Sequence, residues 1–222
     1  MSDYGTEVKL LAVTRPGGYC IADSATFREG DETAEELIEY AGRLCYNLTD
    51  KLGTNPNWIQ ERIKDGHESI LEHASMTFYI KASRVFTHEL VRHRIASYSQ
   101  RSQRYVNEGE PRYITPPELG EVVLEEQDTG AKFTADSWFR LAMDSAWRTY
   151  SELLKAGVRR EIARYVLPNA CETQIVMTMN FRELRHFIKL RTSKRALPEM
   201  REVAGKVKDI CKEIAPKVFE GV

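Results

Sequence analysis

The chain has 222 residues, 42% of them hydrophobic, which is enough for one sizeable core and short for two domains. Lysine and arginine number 32 against 33 acids, with a sequence pI near 6.5, so no global field draws the protein to nucleic acid or to an anionic membrane. No apolar run approaches the roughly 20 residues of a membrane span, and "MSDYGTEVKL" lacks the basic end and apolar stretch of a signal peptide, so a soluble, cytoplasmic protein is expected.

In chain order, "EVKLLAVTRPGGY" alternates and stops at Pro-Gly-Gly, which predicts a strand ending in a turn. "TAEELIEYAGRLCYN" predicts an amphipathic helix capped by Thr33, with Glu35 and Glu36 in its first turn and Leu37, Ala41 and Leu44 as its apolar stripe. In "NPNWIQERIKDG", Asn55 is the expected N-cap, Pro56 suits the first turn and Gly66 the stop. "ASMTFYIKA" alternates around Met76, Phe78 and Ile80 and predicts a strand.

A helical pattern then runs from Arg84 to Arg94 with Val85, Leu90 and Val91 apolar, and the stretch up to Tyr105 leaves it as a loop. Pro111, Pro116 and Pro117 keep the next segment extended, and residues 109–135 form a surface excursion around "GEVVLEEQDTGAKFTAD". A long helix from about Asp136 to Ala156 should stop at Gly157, with a short helix from Arg159 to Tyr165 before Pro168. "TQIVMTMN" predicts a buried strand. "FRELRHFIKLR" predicts a helix with Phe181, Leu184 and Ile188 on one face and Arg182, Arg185 and Lys189 on another, and a last helix spans Pro198 to Ile214. With no internal repeat, the class is mixed α/β (α+β) in one domain over residues 1–222.

The chemistry concentrates in "RHRIASYSQRSQRY". Arg92, Arg94, Arg101 and Arg104, with Ser97, Ser99 and Ser102, supply anion-binding forks and hydroxyls, and no acid stands among them. Glycine is absent, so side chains rather than a nest of backbone amides must hold the anion. A second cationic run, Arg182, Arg185, His186, Lys189, Arg191, Lys194 and Arg195, follows about ninety residues later. Two clusters fit two anionic ligands or one ligand with several phosphates. Nucleic acid is the alternative, against which the neutral balance of the chain weighs.

Other residues admit blander readings. Cys20, Cys45, Cys171 and Cys211 are far apart, with no CxxC pair and no histidine at ligand spacing, so neither structural zinc nor a disulfide framework is expected. Cys45, two residues after Arg43, is the one thiol with a nearby charge. His67 and His73 lack a third ligand pattern, and no metal is assigned. Ser102 has no committed base beside it, which favours ligand contact over nucleophilic attack.

"RHRIASYSQRS" resembles the signature of the flavin-dependent thymidylate synthases: RHR, seven residues, then Ser, here Arg92, His93, Arg94 and Ser102. "GHESILEH" from Gly66, "REIARYVLP" from Arg160 and "NFRELRHFIKLR" from Asn180 keep the family's order, and the likeness covers roughly residues 34 to 205. The resemblance implies a central antiparallel-rich sheet flanked by helices and a homotetramer with active sites at subunit interfaces. It implies methylation of deoxyuridine monophosphate (dUMP) to dTMP, with 5,10-methylenetetrahydrofolate as carbon donor and NADPH or NADH reducing FAD. Carried over by motif position, Glu89, Arg92, Gln100, Arg101, Ser102, Gln103, Arg104, Arg164 and Arg191 would line the dUMP site. His67, Ser69, Arg92, His93, Arg94, Gln100, Asn180, Arg182 and His186 would hold FAD. Arg191 is the candidate catalytic residue, because activating uracil C5 puts negative charge on the ring, where a preorganised guanidinium stabilises it. Arg101 stands where many members are apolar, so its backbone N–H is expected to matter and its guanidinium to face solvent. Gln100 stands where many members have glutamate, Glu89 where many have glutamine, and Leu197-Pro198 departs from the usual run. A flavin-bound redox protein without methyl transfer is a third reading.

Overall fold

The computed structural model describes residues 3–17, 33–128 and 130–222; Cys20 and the end of the first predicted turn lie outside them. In chain order the first elements are β1 (Glu7–Val13), α1 (Ala34–Leu44), α2 (Trp58–Lys64), β2 (Ser75–Ser83), α3 (Arg84–Leu90) and β3 (Ser97–Gln100). A small hairpin of β4 (Val123–Glu125) and β5 (Lys132–Thr134) leads into α4 (Ala135–Lys155) and α5 (Arg160–Ala163). The chain closes with β6 (Glu172–Asn180), α6 (Phe181–Arg191), α7 (Pro198–Ile214) and α8 (Pro216–Phe219). Short 3-10 turns lie at Thr49–Lys51, Glu68–His73, Pro117–Glu121 and Arg164–Val166.

β2 and β6 pair antiparallel along their whole length, from Ser75 opposite Asn180 to Ser83 opposite Glu172. β1 flanks β2 and β3 flanks β6, also antiparallel, in the order β1-β2-β6-β3. Alternation sorts the side chains. Met76, Phe78, Ile80 and Ala82 of β2 and Ile175, Met177 and Met179 of β6 are buried on one face. The hydroxyls of Thr77 and Thr178 meet at 2.9 Å on the other. Phe181, Leu184, Phe187 and Ile188 of α6 and Met200, Val203, Ala204 and Val207 of α7 join the buried face in one core. Each of these side chains larger than alanine stabilises the fold by about 1.5–3 kcal/mol. Because α6 starts where β6 ends, the sheet fixes the height and rotation of every residue on it.

Several local expectations are corrected. Thr33 and Glu36 form the capping box that begins α1, yet the helix buries Ala34, Ile38 and Gly42 with Glu35, Glu39 and Arg43, and Leu44 is exposed. The cause is Trp58: a Cβ on Gly42 would lie 2.3 Å from its ring, and Arg43 stacks on that ring at 5.1 Å while bonding Glu39 at 2.6 Å. A buried ion pair thus turns the apolar stripe outward. Asn55 caps no helix; its Oδ1 accepts from Asn57 N at 3.0 Å in an Asx turn, and Asn57 precedes α2. Gly66 and Gly157 take left-handed conformations, as their helix-stopping positions require.

The predicted helix to Arg94 ends at Leu90 and buries Phe86, Thr87 and Leu90, leaving Val85 and Val91 outside. The expected loop after it contains β3, a four-residue edge strand too polar to register as one in the sequence. The excursion carries the exposed β4–β5 hairpin, while Ile114 is tied to the start of β6 by its N–H to Ala170 O at 2.9 Å. Among the described residues no helix is long and apolar enough to cross a membrane.

Candidate active site

The turn after α3 holds Arg92, His93 and Arg94. Tyr98, on β3, anchors it from below: its hydroxyl lies 2.9 Å from Leu90 O and 2.8 Å from His93 O. This places His93 inside and leaves Arg92 and Arg94 exposed, with no carboxylate partner among the described residues.

His93 is the hub of a chain of polar contacts. Its Nδ1 lies 2.9 Å from Glu183 Oε1, and its Nε2 lies 3.0 Å from Arg191 Nε. Arg191 Nη1 donates to Glu89 Oε2 at 3.0 Å and Nη2 to Glu89 O at 3.3 Å. Phe187 meets the imidazole edge-on at 5.1 Å, and His186 lies 5.7 Å away. Burial lowers the His93 pKa, the Glu183 hydrogen bond opposes this and the Arg191 charge reinforces it, so the ring is neutral at neutral pH. Glu89, Arg191 and His93 are therefore together, from α3, α6 and the turn. His93, Glu183 and His186 bring their ligand atoms within 4.8 Å of one another, but both His93 nitrogens are engaged and the Arg191 charge is adjacent.

A cavity of about 790 Å³ opens beside this network. Asn180, Arg182, Glu183, Arg185, His186 and Lys189 line one side, with Ile95, Glu68 and Glu72 opposite. Asn180 Oδ1 caps α6 by accepting from Glu183 N at 2.8 Å, which leaves its amide hydrogens free to face a ligand. Arg182 bonds Glu72 at 2.6 Å, Arg185 donates to Val218 O, and Arg185 Nε is buried without a partner among the described residues. Asn180, Arg182 and His186 are thus brought together in the lining of one cavity. His67 and Ser69 are exposed at the 3-10 turn that supplies Glu68 and Glu72. His73 is exposed as well.

The serine-arginine half of the loop lies elsewhere; Gln100, Arg101, Ser102, Gln103, Arg104 and Arg164 do not line that cavity. Gln100 Nε2 donates to Thr87 Oγ1 at 3.1 Å and to Thr173 Oγ1 at 3.3 Å, so it is pinned between α3 and β6. The Arg101 N–H donates to Gln174 O at 2.9 Å, prolonging β3. Its guanidinium turns inward to Glu108 at 3.2 Å, against the solvent-facing expectation. Arg104 pairs with Glu161 at 3.0 Å, and its N–H donates to Ser102 Oγ at 3.2 Å. Acids missing from the loop in sequence are therefore supplied in space, by Glu108 and Glu161. Gln103 is buried beside the Cys171 thiol.

Among the described thiols, burial pushes Cys171 up to about 11 and Cys211 higher still, which keeps both protonated at neutral pH. Cys45 is exposed, and the nearby Arg43 is paired with Glu39.

Comparison with known proteins now decides the family. Residues 29–217 match the family model described as thymidylate synthase complementing protein. A flavin-dependent thymidylate synthase of Corynebacterium efficiens is 42% identical over 197 residues, 84% of this chain and 78% of its own. Those of Mycobacterium avium and Corynebacterium glutamicum are 42% and 40% identical over 82% and 85% of this chain, covering 77% and 79% of theirs. The chain belongs to the flavin-dependent thymidylate synthase family.

Within this member of the family, two residues escaped the sequence reading. Glu183 is an acid in the first turn of α6, a common feature with no chemistry attached, and only its contact with His93, 90 positions away, reveals it. Arg84 begins α3 half-buried, with no ion-pair partner among the described residues; burial lowers its pKa and Arg164 adds to this. Its signal, an arginine directly after a buried strand, was present but unread.

Proposed function

We propose that this chain is a flavin-dependent thymidylate synthase that converts dUMP to dTMP in the cytoplasm, as a single domain. Methylenetetrahydrofolate supplies the carbon, and FAD reduced by NADPH or NADH supplies the hydride that completes the methyl group. The observation that carries this reading is the Glu89–Arg191–His93 network at the edge of a cationic cavity, in a chain of that family.

The residues present fit FAD. A cavity of about 790 Å³ is within the usual range for a cofactor, the orphan Arg185 Nε shows polar capacity unspent within the fold, and Lys189 adds charge. Asn180, Arg182 and His186 would hold the cofactor from α6, with His67, Ser69, Arg92, His93, Arg94 and Gln100 completing its site. Ser102, Gln103, Arg104, Arg164 and the Arg101 backbone would bind dUMP through its phosphate. Gln100 would contact both ligands, and Glu89 would lie near the sugar. Arg191 holds its charge against the uracil ring, where density builds as C5 becomes nucleophilic. Two of its three guanidinium nitrogens are clamped by Glu89 and the third by His93, so little reorganisation is needed.

The chain acts as a homotetramer whose subunits close the sites. Support comes from the apolar side chains flanking the site: Ile95 is 67% exposed, Tyr105 71% and Tyr165 82%. The nucleic-acid reading has no support from the relatives, and pairing with Glu108 and Glu161 removes two of its cations. The test is a visible spectrum of the purified tetramer with FAD, before and after dUMP. A bound flavin band perturbed by dUMP is expected. No bound flavin at any concentration would overturn the assignment.

A further inference from the structure

The geometry points to Glu183 as a positioning residue for the reaction, acting through His93 on Arg191. This rests on the proposed role of Arg191 at the uracil ring.

A guanidinium Nε–H can only donate, so the His93 nitrogen facing it, Nε2 at 3.0 Å, must accept. A neutral imidazole that accepts at Nε2 carries its proton on Nδ1. That proton faces the Glu183 carboxylate at 2.9 Å, an acceptor-only group. One tautomer alone satisfies both neighbours. The side chains are 4% and 10% exposed, so water cannot substitute for either partner. Protonating His93, or moving its proton to Nε2, would set a donor against Arg191 Nε–H and release one of the three points that fix the guanidinium plane.

Glu183 is itself held. Its backbone N–H donates to the Asn180 side chain at 2.8 Å, so the N-terminus of α6 aims the carboxylate. Arg191 lies eight residues later on the same helix, and the turn that carries His93 reaches both ends of that span. The helix is thus a rigid ruler with the acceptor at one end, the guanidinium at the other and the imidazole bridging them. Such outer partners tune orientation as they do behind metal-bound histidines, where their loss costs about 10- to 100-fold.

The first measurement is the tautomer of His93 in the wild-type protein, from long-range nitrogen–proton correlations of the protein labelled at its imidazole nitrogens. A proton on Nδ1 is expected; a proton on Nε2 would overturn the proposal without any variant. Glu183→Leu should lower kcat for dTMP formation about 10- to 100-fold with FAD still bound and His93 spread over both tautomers. Glu183→Gln, whose amide oxygen can still accept from Nδ1–H, should recover most of that loss but remain about threefold slow. Unchanged turnover in Glu183→Leu sinks the idea, as does lost turnover with His93 held wholly in the Nδ1–H form. Should Glu183→Leu fail to fold, the wild-type spectrum and Glu183→Gln decide. Arg191→Ala separates the layers: if turnover is unaffected, the role of Arg191 falls, while the tautomer assignment stands or falls on its spectrum.

Discussion

The Arg191 network and the cavity wall share one helix and differ in how their charges are spent. Around Arg191 each polar contact is reciprocal: Glu183 with His93, His93 with Arg191, Arg191 with Glu89. On the same helix, Lys189 and Arg185 line the cavity without carboxylate partners among the described residues, and Arg182 pairs with Glu72. The first arrangement is rigid before anything binds; the second carries cationic capacity that a phosphate-bearing ligand can take up. A satisfied network suits stabilising charge that appears only in the transition state, and an unsatisfied wall suits holding a ligand throughout.

If that contrast is right, breaking each region should produce a different kind of defect. Arg191→Ala should lower dTMP formation about 10²- to 10³-fold, the range seen when one such donor is removed. The flavin absorbance should persist. Loss of flavin together with turnover would place Arg191 in the cavity wall instead. The double variant Arg182→Ala, Lys189→Ala should weaken FAD binding about tenfold, more at low ionic strength than at high, with kcat at saturating FAD within about threefold of wild type. Titration by flavin fluorescence reads this directly, and an unchanged affinity would remove the wall from cofactor binding.

The sheet was legible in the sequence because β2 and β6 alternate cleanly and each is followed at once by a helix. β3 was not, because four residues reading Ser-Tyr-Ser-Gln owe their strand geometry to the β6 edge rather than to their own propensity. The stripe of α1 was misread for a related reason: an ion pair stacked under Trp58 buries as well as leucine does, and periodicity counts only apolar letters. At the site, the motif residues could be named from sequence, whereas their partners could not. Glu108, Glu161 and Glu183 become neighbours of Arg101, Arg104 and His93 only through folding, at sequence separations of 7, 57 and 90. Arg101 shows the cost, since its inward turn follows from Glu108.

The smallest expected effect concerns pH and sharpens the same contrast. The folded-state pKa of His93 lies below its unfolded value of about 6.5. Below that value the unfolded chain binds the extra proton more readily, so the stabilisation is complete above about pH 6.5 and is lost as pH falls through the folded pKa. The melting temperature should therefore rise between about pH 5 and pH 7. Glu183, Arg191 and His186 are the ionisable groups facing the ring, and the one other imidazole among them is His186. It lies exposed on the cavity side, outside the reciprocal network. His93→Gln should flatten part of the slope, whereas His186→Asn should leave it nearly intact. The reverse result would show that the ring on the cavity wall, and not the one in the network, carries the proton that matters.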